Sequence, residues 1–399
     1  MDEFEVPAVV LGGGGTYSLG AIRSLGRAGI KVCYVDDHGS GSIYSKYCKR
    51  YFIFPQIGNS RDELRTSLLE IKNVIGAAVL FPVSDKFATH LADLTDQLDG
   101  HFSTVPKREI IETLINKRRF YESLTWQEIP HPTTFFPENV EDAKKLSTRV
   151  RYPVFLKPYL SQQFAERFQG KKGYVAEEEG ELLRLFGSMK RMGVAVMVQE
   201  IVEGPPTHHI FLDGYIDRQL DPKVVFARQR LRMWPLDFGN STLCVTIPAS
   251  KVSVLKEALF NYLRAIRYYG IFSAEFKKDS QDGVFKLLEI NSRTSGWFNT
   301  LSARCGINIM LAAYLDAIGR HVEYSEDYET NIKWIMLMYD CISAGRMLVN
   351  GDIGIRRWIS SLSGRKECMS YSTDDLKPHI MELPISLALA LRAVLQRSN

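Results

Sequence analysis

Short apolar runs alternate with amphipathic stretches through the first hundred residues. PAVVLGGGG (7–15) reads as a buried strand running into glycines, and SLGAIRSLGRAG (18–29) follows it at helical spacing. IKVCYVDD (30–37) is a second strand that ends in two acids. RYFIFP (50–55) is a third, and RDELRTSLLEIKNVIG (61–76) is a helix. AAVLFPVSD (77–85) and KFATHLADLTDQL (86–98) repeat the strand-then-helix step. This alternation predicts a parallel sheet with helices on its faces, so residues 1–105 are expected to form a Rossmann-like α/β domain.

The pattern then changes. VPKREIIETLINKRRFYESL (105–124) is helix-rich, with a helix expected over 109–123, and IPHPTTFFP (129–137) is a proline-punctuated extended loop. RYPVFLKPY (151–159) and VAVMVQEIVEGPP (194–206) are strands that flank a polar insert and the helix EEGELLRLFGSMKRM (178–192). HHIFLDGYID (208–217), PKVVFARQRLR (222–232) and STLCVTIP (241–248) suggest an antiparallel sheet. The helix SVLKEALFNYLRAIRYYG (253–270) leads to the strands IFSAEFKKD (271–279) and FKLLEINSRTSG (285–296). Residues 106–325 are expected to form a second domain of α+β lobes, with a lid lobe over about 150–205. Residues 326–399 read as helical, and the apolar tail LPISLALALRAVLQR (383–397) reads as a packed terminal helix.

Composition narrows the class. With 45% hydrophobic and 24% charged residues and a net charge of +4, the chain of 399 residues is a multi-domain globular protein. The basic spots NKRRF (116–120) and DIGIRRW (352–358) do not form the stripe that a nucleic-acid binder needs. Six cysteines lie scattered, with no CxxC pair, as in a cytoplasmic protein with reduced thiols. The start is acidic where a secretory signal would be basic, and no stretch reaches the ~20 apolar residues of a membrane span.

The glycines of GGGGTYSLG (12–20) follow a strand and open a helix, with Asp36 about twenty residues on, which is the layout of a dinucleotide site. The GxGxxG spacing nevertheless fails, because Tyr17 stands at its sixth position, and the Walker A spacing fails as well. A carboxylate or phosphate held on the loop's amides and a tight turn without a ligand remain equal readings.

A second set of residues is informative together. Lys117 lies on the predicted helix. Lys157 ends the strand PVFLK on the face of Phe155, where an ammonium loses hydration unless an anion compensates it. The strand through Gln199 and Glu200 leaves its sheet by Ile201, Val202, Glu203 and Gly204, exposing backbone groups beside aliphatic side chains, which suits a flat purine. Glu289 and Asn291 sit on one face of their strand with Phe285 and Leu287, at an apolar surface where an acid and an amide are out of place. With Glu275 they make a set of hard oxygen ligands suited to Mg²⁺, able to bracket two ions about 4 Å apart. Arg293 could hold a phosphate or carboxylate in bidentate fashion, and Arg228, Arg230 and Arg232 are expected to face the same cleft.

In this order the residues resemble the ATP-grasp superfamily of carboxylate–amine ligases, with the look of D-aspartate ligase-like enzymes. LINKRRFYE, IPHPTT, PVFLKP, FQGKKGYV, VQEIVEG and LLEINSR carry the likeness, which covers about residues 75–320 well. The resemblance implies an ATP-grasp fold of two α+β lobes enclosing the nucleotide. It also implies ATP and Mg²⁺ as cofactors, with two ions and Mn²⁺ as an alternative metal. Lys117 and Lys157 would hold phosphates, Gln199, Glu200, Ile201 and Val202 would border adenine, and Glu203 or His208 (His209 being equivalent here) would reach the ribose. Glu275, Glu289 and Asn291 would bind metal, and Arg230 and Arg293 would steady the transferred phosphate. The partners implied are a small carboxylate, amino-acid-like, and an amine, with Ser295, Trp297 and the turn at Gly239–Ser241 as pocket walls. One departure stands out: YLSQQFAERFQGKKG (159–173) is bulky and charged where many relatives carry a flexible Gly/Ser-rich loop.

Three rivals remain at this stage. The same residues suit carboxyphosphate or carbamoyl-phosphate chemistry of the biotin carboxylase kind, and they suit a non-catalytic ATP-binding scaffold. An NAD enzyme built on the first glycines would leave Glu275, Glu289 and Asn291 unexplained.

Overall fold

The computed structural model describes residues 4–160, 164, 168, 172–294 and 296–395. By compactness the chain divides into a larger unit (Met1–Ile111, Ile210–Ser273, Asn291–Asn399) and a smaller one (Glu112–His209, Ala274–Ile290).

The larger unit opens with five parallel strands: β1 (Ala8–Leu11), β2 (Val32–Asp36), β3 (Cys48–Ile53), β4 (Val79–Pro82) and β5 (Phe102–Ser103), in the order β3-β2-β1-β4-β5. Every residue of β1, β2 and β4 is buried, which is why these strands read as unbroken apolar runs rather than alternating ones. Two of the helices that follow these strands start where the sequence supplies an acceptor: Ser60 Oγ takes the N–H of Glu63, and Ser84 Oγ that of Phe87. Strand order reverses on either side of β1, so the segments leaving β1 and β4, Gly12–Gly15 and Ser84–Asp85, meet at a topological switch point.

The smaller unit holds an antiparallel sheet of β6 (Thr134–Phe135), β7 (Val154–Pro158), β8 (Tyr174–Ala176) and β9 (Val196–Glu200), in the order β6-β9-β7-β8. Helices Val140–Ser147 and Glu179–Arg191 cover it through Ala143, Leu146, Leu182 and Phe186, which pack on Val154, Leu156 and Val198. The helix expected over 109–123 is two helices, Arg108–Ile115 and Lys117–Trp126. Asn116 breaks it, adopting an extended conformation and capping the second helix by accepting from the N–H groups of Arg118 and Arg119.

A second sheet of the larger unit is built from β10 (His209–Ile216), β11 (Pro222–Trp234) and β12 (Asn240–Ile247). β13 (Gly270–Lys278) starts in the larger unit beside β10 and ends in the smaller. β14 (Phe285–Asn291) lies next to β13 in the smaller unit and ends in the larger. At the other edge β15 (Lys333–Ile335) and β16 (Lys366–Cys368) extend the sheet beyond β12, so the region after residue 325 is not purely helical. Three-residue strands carry too short a period-two signal to show against the helices around them, Leu337–Val349, Ile355–Ser361 and Lys377–Leu395.

Buried ion pairs fasten this C-terminal region. Arg232 on β11 donates from Nε and Nη2 to both carboxylate oxygens of Asp340, at 2.9 and 2.7 Å, and Thr242 Oγ1 adds a third bond to Asp340. Arg23, with no exposed side-chain surface, donates to Asp375 at 2.9 Å, which also accepts from Ser45 Oγ and the Lys46 N–H. Removing one partner leaves the other charge buried and uncompensated. Asp340→Ala is therefore expected to destabilise the protein by about 3–5 kcal/mol, read from urea unfolding against the wild type.

Candidate active site

Helix Lys117–Trp126 begins with Lys117, whose ammonium donates to Glu289 Oε2 of β14 at 3.3 Å. Lys157, near the end of β7, donates to Gln199 Oε1 on the neighbouring β9 at 2.9 Å, and Gln199 Nε2 donates onward to Thr134 Oγ1 on β6. The Lys157 ammonium also lies 5.2 Å from the centre of the Phe155 ring. Burial pushes its pKa down from 10.5 to about 8, and the nearby charge of Lys117 adds to the effect while Glu289 and Glu275 oppose it. Two lysines, two carboxylates and an amide thus gather on one side of the smaller unit.

Glu275 on β13 accepts from His209 at the start of β10, with Nδ1 and Oε1 2.6 Å apart. With the carboxylate ionised, the imidazole nitrogen is the donor. His208, weighed equally with His209 in the sequence, faces elsewhere, its Nδ1 2.9 Å from the Lys278 carbonyl oxygen. The signal that separates the two is strand alternation, since consecutive residues entering a strand point to opposite faces.

Beyond β9 the chain runs irregularly through Ile201–Gly204. The Glu200 N–H is taken by the Thr133 carbonyl, the Glu200 carboxylate by the Arg151 N–H, and the Val202 carbonyl by Lys277 Nζ at 2.7 Å. Glu203 accepts from Gln281 Nε2. The Val202 N–H has no acceptor among the described residues, although Val202 is buried. Gly204 turns the chain at φ +125°, where a Cβ would collide with the His208 ring, so no other residue fits there without strain.

The arginines separate in the larger unit. Arg228 donates to Asp213 at 2.7 Å between the rings of Phe211 and Phe298, and Arg232 is held by Asp340, so both are structural rather than turned to a cleft. Arg230 donates from Nε to Ser241 Oγ at 2.9 Å. Arg293 donates to Asp85 Oδ1 at 2.6 Å, to Tyr17 Oη at 3.2 Å and to Asn291 Oδ1 at 3.3 Å. Burial opposes its charge, but Asp85 and Tyr17 outweigh burial and raise its pKa, so the guanidinium stays charged. Trp297 packs edge-on against Tyr17. Asp85 and Tyr17 escaped sequence reasoning because they join Arg293 from more than two hundred residues away. Ser295 and most of the stretch 159–173 lie outside the described residues.

Gly12–Gly15 all adopt positive φ, a conformation open to glycine. The loop is closed by the protein itself. Gly14 N–H donates to Asp36 Oδ2, which also accepts from Tyr34 Oη, and the Asp37 N–H takes Oδ1. Asp36, which a dinucleotide site would turn toward a ribose, is spent on its own turn.

Among the described residues, the three His, Cys, Asp or Glu side chains close enough together to share one ion are Asp36, Asp37 and His38. Glu275 and Glu289 form no such trio. A cation at them would complete its shell from amide oxygens, water or phosphate, which is the habit of Mg²⁺. Their hard oxygens fit such an ion, which would replace the Lys117 ammonium at Glu289 and the His209 hydrogen bond at Glu275.

Lys157 gives a direct test. Between about 8 and 10.5 the folded protein binds fewer protons at this site than the unfolded chain, so stability should rise as the pH is raised through that window. Urea unfolding across it should show this rise in the wild type, and the rise should shrink in Lys157→Met.

No family model matches the sequence. The chain is 25% identical over 331 residues to a D-aspartate ligase of Enterococcus faecium (strain Aus0004), covering 78% of this chain and 77% of that protein. Its fold is similar to the biotin carboxylase domain of Hydrogenobacter thermophilus 2-oxoglutarate carboxylase, solved with MgADP and bicarbonate (TM-score 0.64, 19% identity, 82% of this chain and 73% of that one). It is similar as well to an L-amino acid ligase from Bacillus licheniformis (TM-score 0.62, 12% identity, 81% and 77%). The fold is of the ATP-grasp kind, and in sequence the chain is similar to a ligase.

Proposed function

We propose that the protein uses Mg-ATP to activate the carboxylate of a small amino acid and joins it to an amine, releasing ADP and phosphate. The observation that carries this reading is the half-buried Lys157 ammonium, its charge disfavoured, beside Lys117, Glu289 and Glu275. Phosphate oxygens would supply an anion for the lysines and Mg²⁺ would join the acids in place of their present partners, and Mg-ATP brings both.

On this reading Lys117 and Lys157 bind phosphate oxygens, and Lys157 regains its full charge when they arrive. The Val202 N–H donates to the adenine edge while Ile201 and Val202 pack on its face, and Gln199 keeps Lys157 in place. Glu200, Glu203 and His208 are engaged within the protein, so ribose contacts at this end would have to compete with those bonds. Glu275 and Glu289, with Asn291 further along β14, hold Mg²⁺, which neutralises charge developing on the transferred phosphoryl group. His209 orients Glu275. Arg230 and Arg293 are assigned to the phosphate and the substrate carboxylate by residue type and by their place in the chain.

The chemistry needs no protein nucleophile. A carboxylate oxygen of the substrate attacks the γ-phosphorus as the bond to ADP breaks, giving an acyl phosphate. The amine nitrogen then attacks the acyl carbon, loses a proton, and phosphate leaves. The relation to a D-aspartate ligase makes D-aspartate the first acid to test.

ADP and phosphate release should depend on Mg²⁺ and on both an acid and an amine pool, with D-aspartate in the first acid pool. Glu289→Ala should lower it by on the order of a hundredfold or more. Release that needs bicarbonate instead would replace ligation by carboxyphosphate chemistry, and ATP binding without release from any pool would leave a scaffold. Lys157→Met should raise the KM for ATP more than it changes the KM of either co-substrate, as a residue bound to the nucleotide alone requires.

A further inference from the structure

Exposed aliphatic side chains collect in the C-terminal region. In helix Ile355–Ser361, Ile355 and Ile359 stand four residues apart on one face, 51% and 60% exposed, next to the exposed Arg356 and Arg357. Helix Lys377–Leu395 is packed on one face and open on another. Pro378 and Glu382 are buried, and the Glu382 carboxylate accepts from the Gly41 N–H at 2.6 Å, which ties that face to the fold. Ile380, Leu383 and Leu387, at helical spacing on the remaining surface, are 61%, 41% and 48% exposed. The sequence predicted a packed terminal helix; among its described side chains Ile380, Met381, Leu383 and Leu387 are exposed.

Charge is sorted in the same region. Asp340, Glu367, Asp375 and Glu382 are buried, the first and third on arginines and the last on a backbone amide. Arg356, Arg357, Lys366 and Lys377 are exposed, Arg365 is paired with Glu329, and Asp352 and Asp374 are the exposed acids between residues 340 and 383. Exposed basic side chains therefore outnumber exposed acids here, beside the exposed aliphatic ones.

A symmetric contact with a second copy would bring these like charges together. An anionic lipid surface suits both features, since aliphatic side chains enter the boundary between headgroups and acyl chains while basic ones attract acidic headgroups. We propose that the C-terminal region docks the protein on an anionic bilayer, with helix Lys377–Leu395 lying in the interface. Among the described residues no helix is long and apolar enough to cross a membrane, and the Glu382 face of this one stays bound to the glycine-rich end of the fold.

The test is flotation of the full chain with vesicles of equal parts phosphatidylglycerol and phosphatidylcholine, against vesicles of phosphatidylcholine alone. Binding should be at least about tenfold stronger on the anionic vesicles and should weaken with salt, on the order of fivefold being lost for each basic side chain reversed in Arg356→Glu and Arg357→Glu. The combined variant Ile380→Ser, Leu383→Ser and Leu387→Ser should lose vesicle binding. It should keep the circular dichroism and thermal midpoint of the wild type, because these side chains are exposed. No binding to anionic vesicles, or binding that the serines leave unchanged, overturns the proposal. A dimer in solution that the serines dissociate overturns it too, assigning the face to a second copy.

Discussion

Withdrawing a lysine ammonium from water is the constraint around which the smaller unit is arranged. Lys157 could have been placed in solvent, and instead β7 carries it against Phe155 with one amide oxygen of Gln199 as its hydrogen-bond partner. An uncharged amide compensates a charge poorly, so the pKa falls. Such a position persists in a folded protein when something else in the fold outweighs its cost, here the twelve-residue apolar cluster under β7 and β9. The nearby carboxylates do not pair with it directly: Glu289 is matched to Lys117 and Glu275 to His209. The arrangement leaves Lys157 without a carboxylate in hydrogen-bond contact, beside two acids that are matched to other groups.

Basic residues elsewhere show the opposite solution. Arg23, Arg228 and Arg232 are as deeply buried as any side chain in the protein, and each has a carboxylate in hydrogen-bond contact. These pairs are satisfied, so they fasten segments distant in sequence and leave nothing for a ligand to do. Arg293 stands between the two cases, paired with Asp85 yet 14% exposed at the switch point of the first sheet. Residue type alone does not distinguish an arginine that binds a substrate from one that holds a strand to a helix; the partner does.

Much of the fold was legible because its signals are local. The buried strands of the first sheet announce themselves as apolar runs, and two of the helices that follow them by serine caps and 3.6-residue periodicity. The candidate site stood out in the sequence where a residue type was out of place on its element: a lysine ending an apolar strand, an acid and an amide on an apolar face. It was illegible where function depends on contact across the chain. His209 could not be preferred to His208 until β10 was known to start between them. Three equivalent arginines at alternate positions of β11 gave no hint that Asp213 and Asp340 would claim two. The short strands β15 and β16 exist because an open sheet edge was there to receive them, which no window of three residues reports.

The sequence by itself determined the class of chemistry, because hard oxygen ligands, spaced lysines and a hinge of mixed polar and aliphatic residues are properties of composition and order. Tertiary structure alone decided which of those groups are spent. A hydrogen bond or ion pair consumes a side chain's charge and directional capacity, and its partner in this protein is commonly far off in sequence: Asp340 for Arg232, Asp375 for Arg23 and His209 for Glu275. Spacing along a chain carries no record of such pairings, since they depend on how sheets and helices close on one another after the local elements have formed.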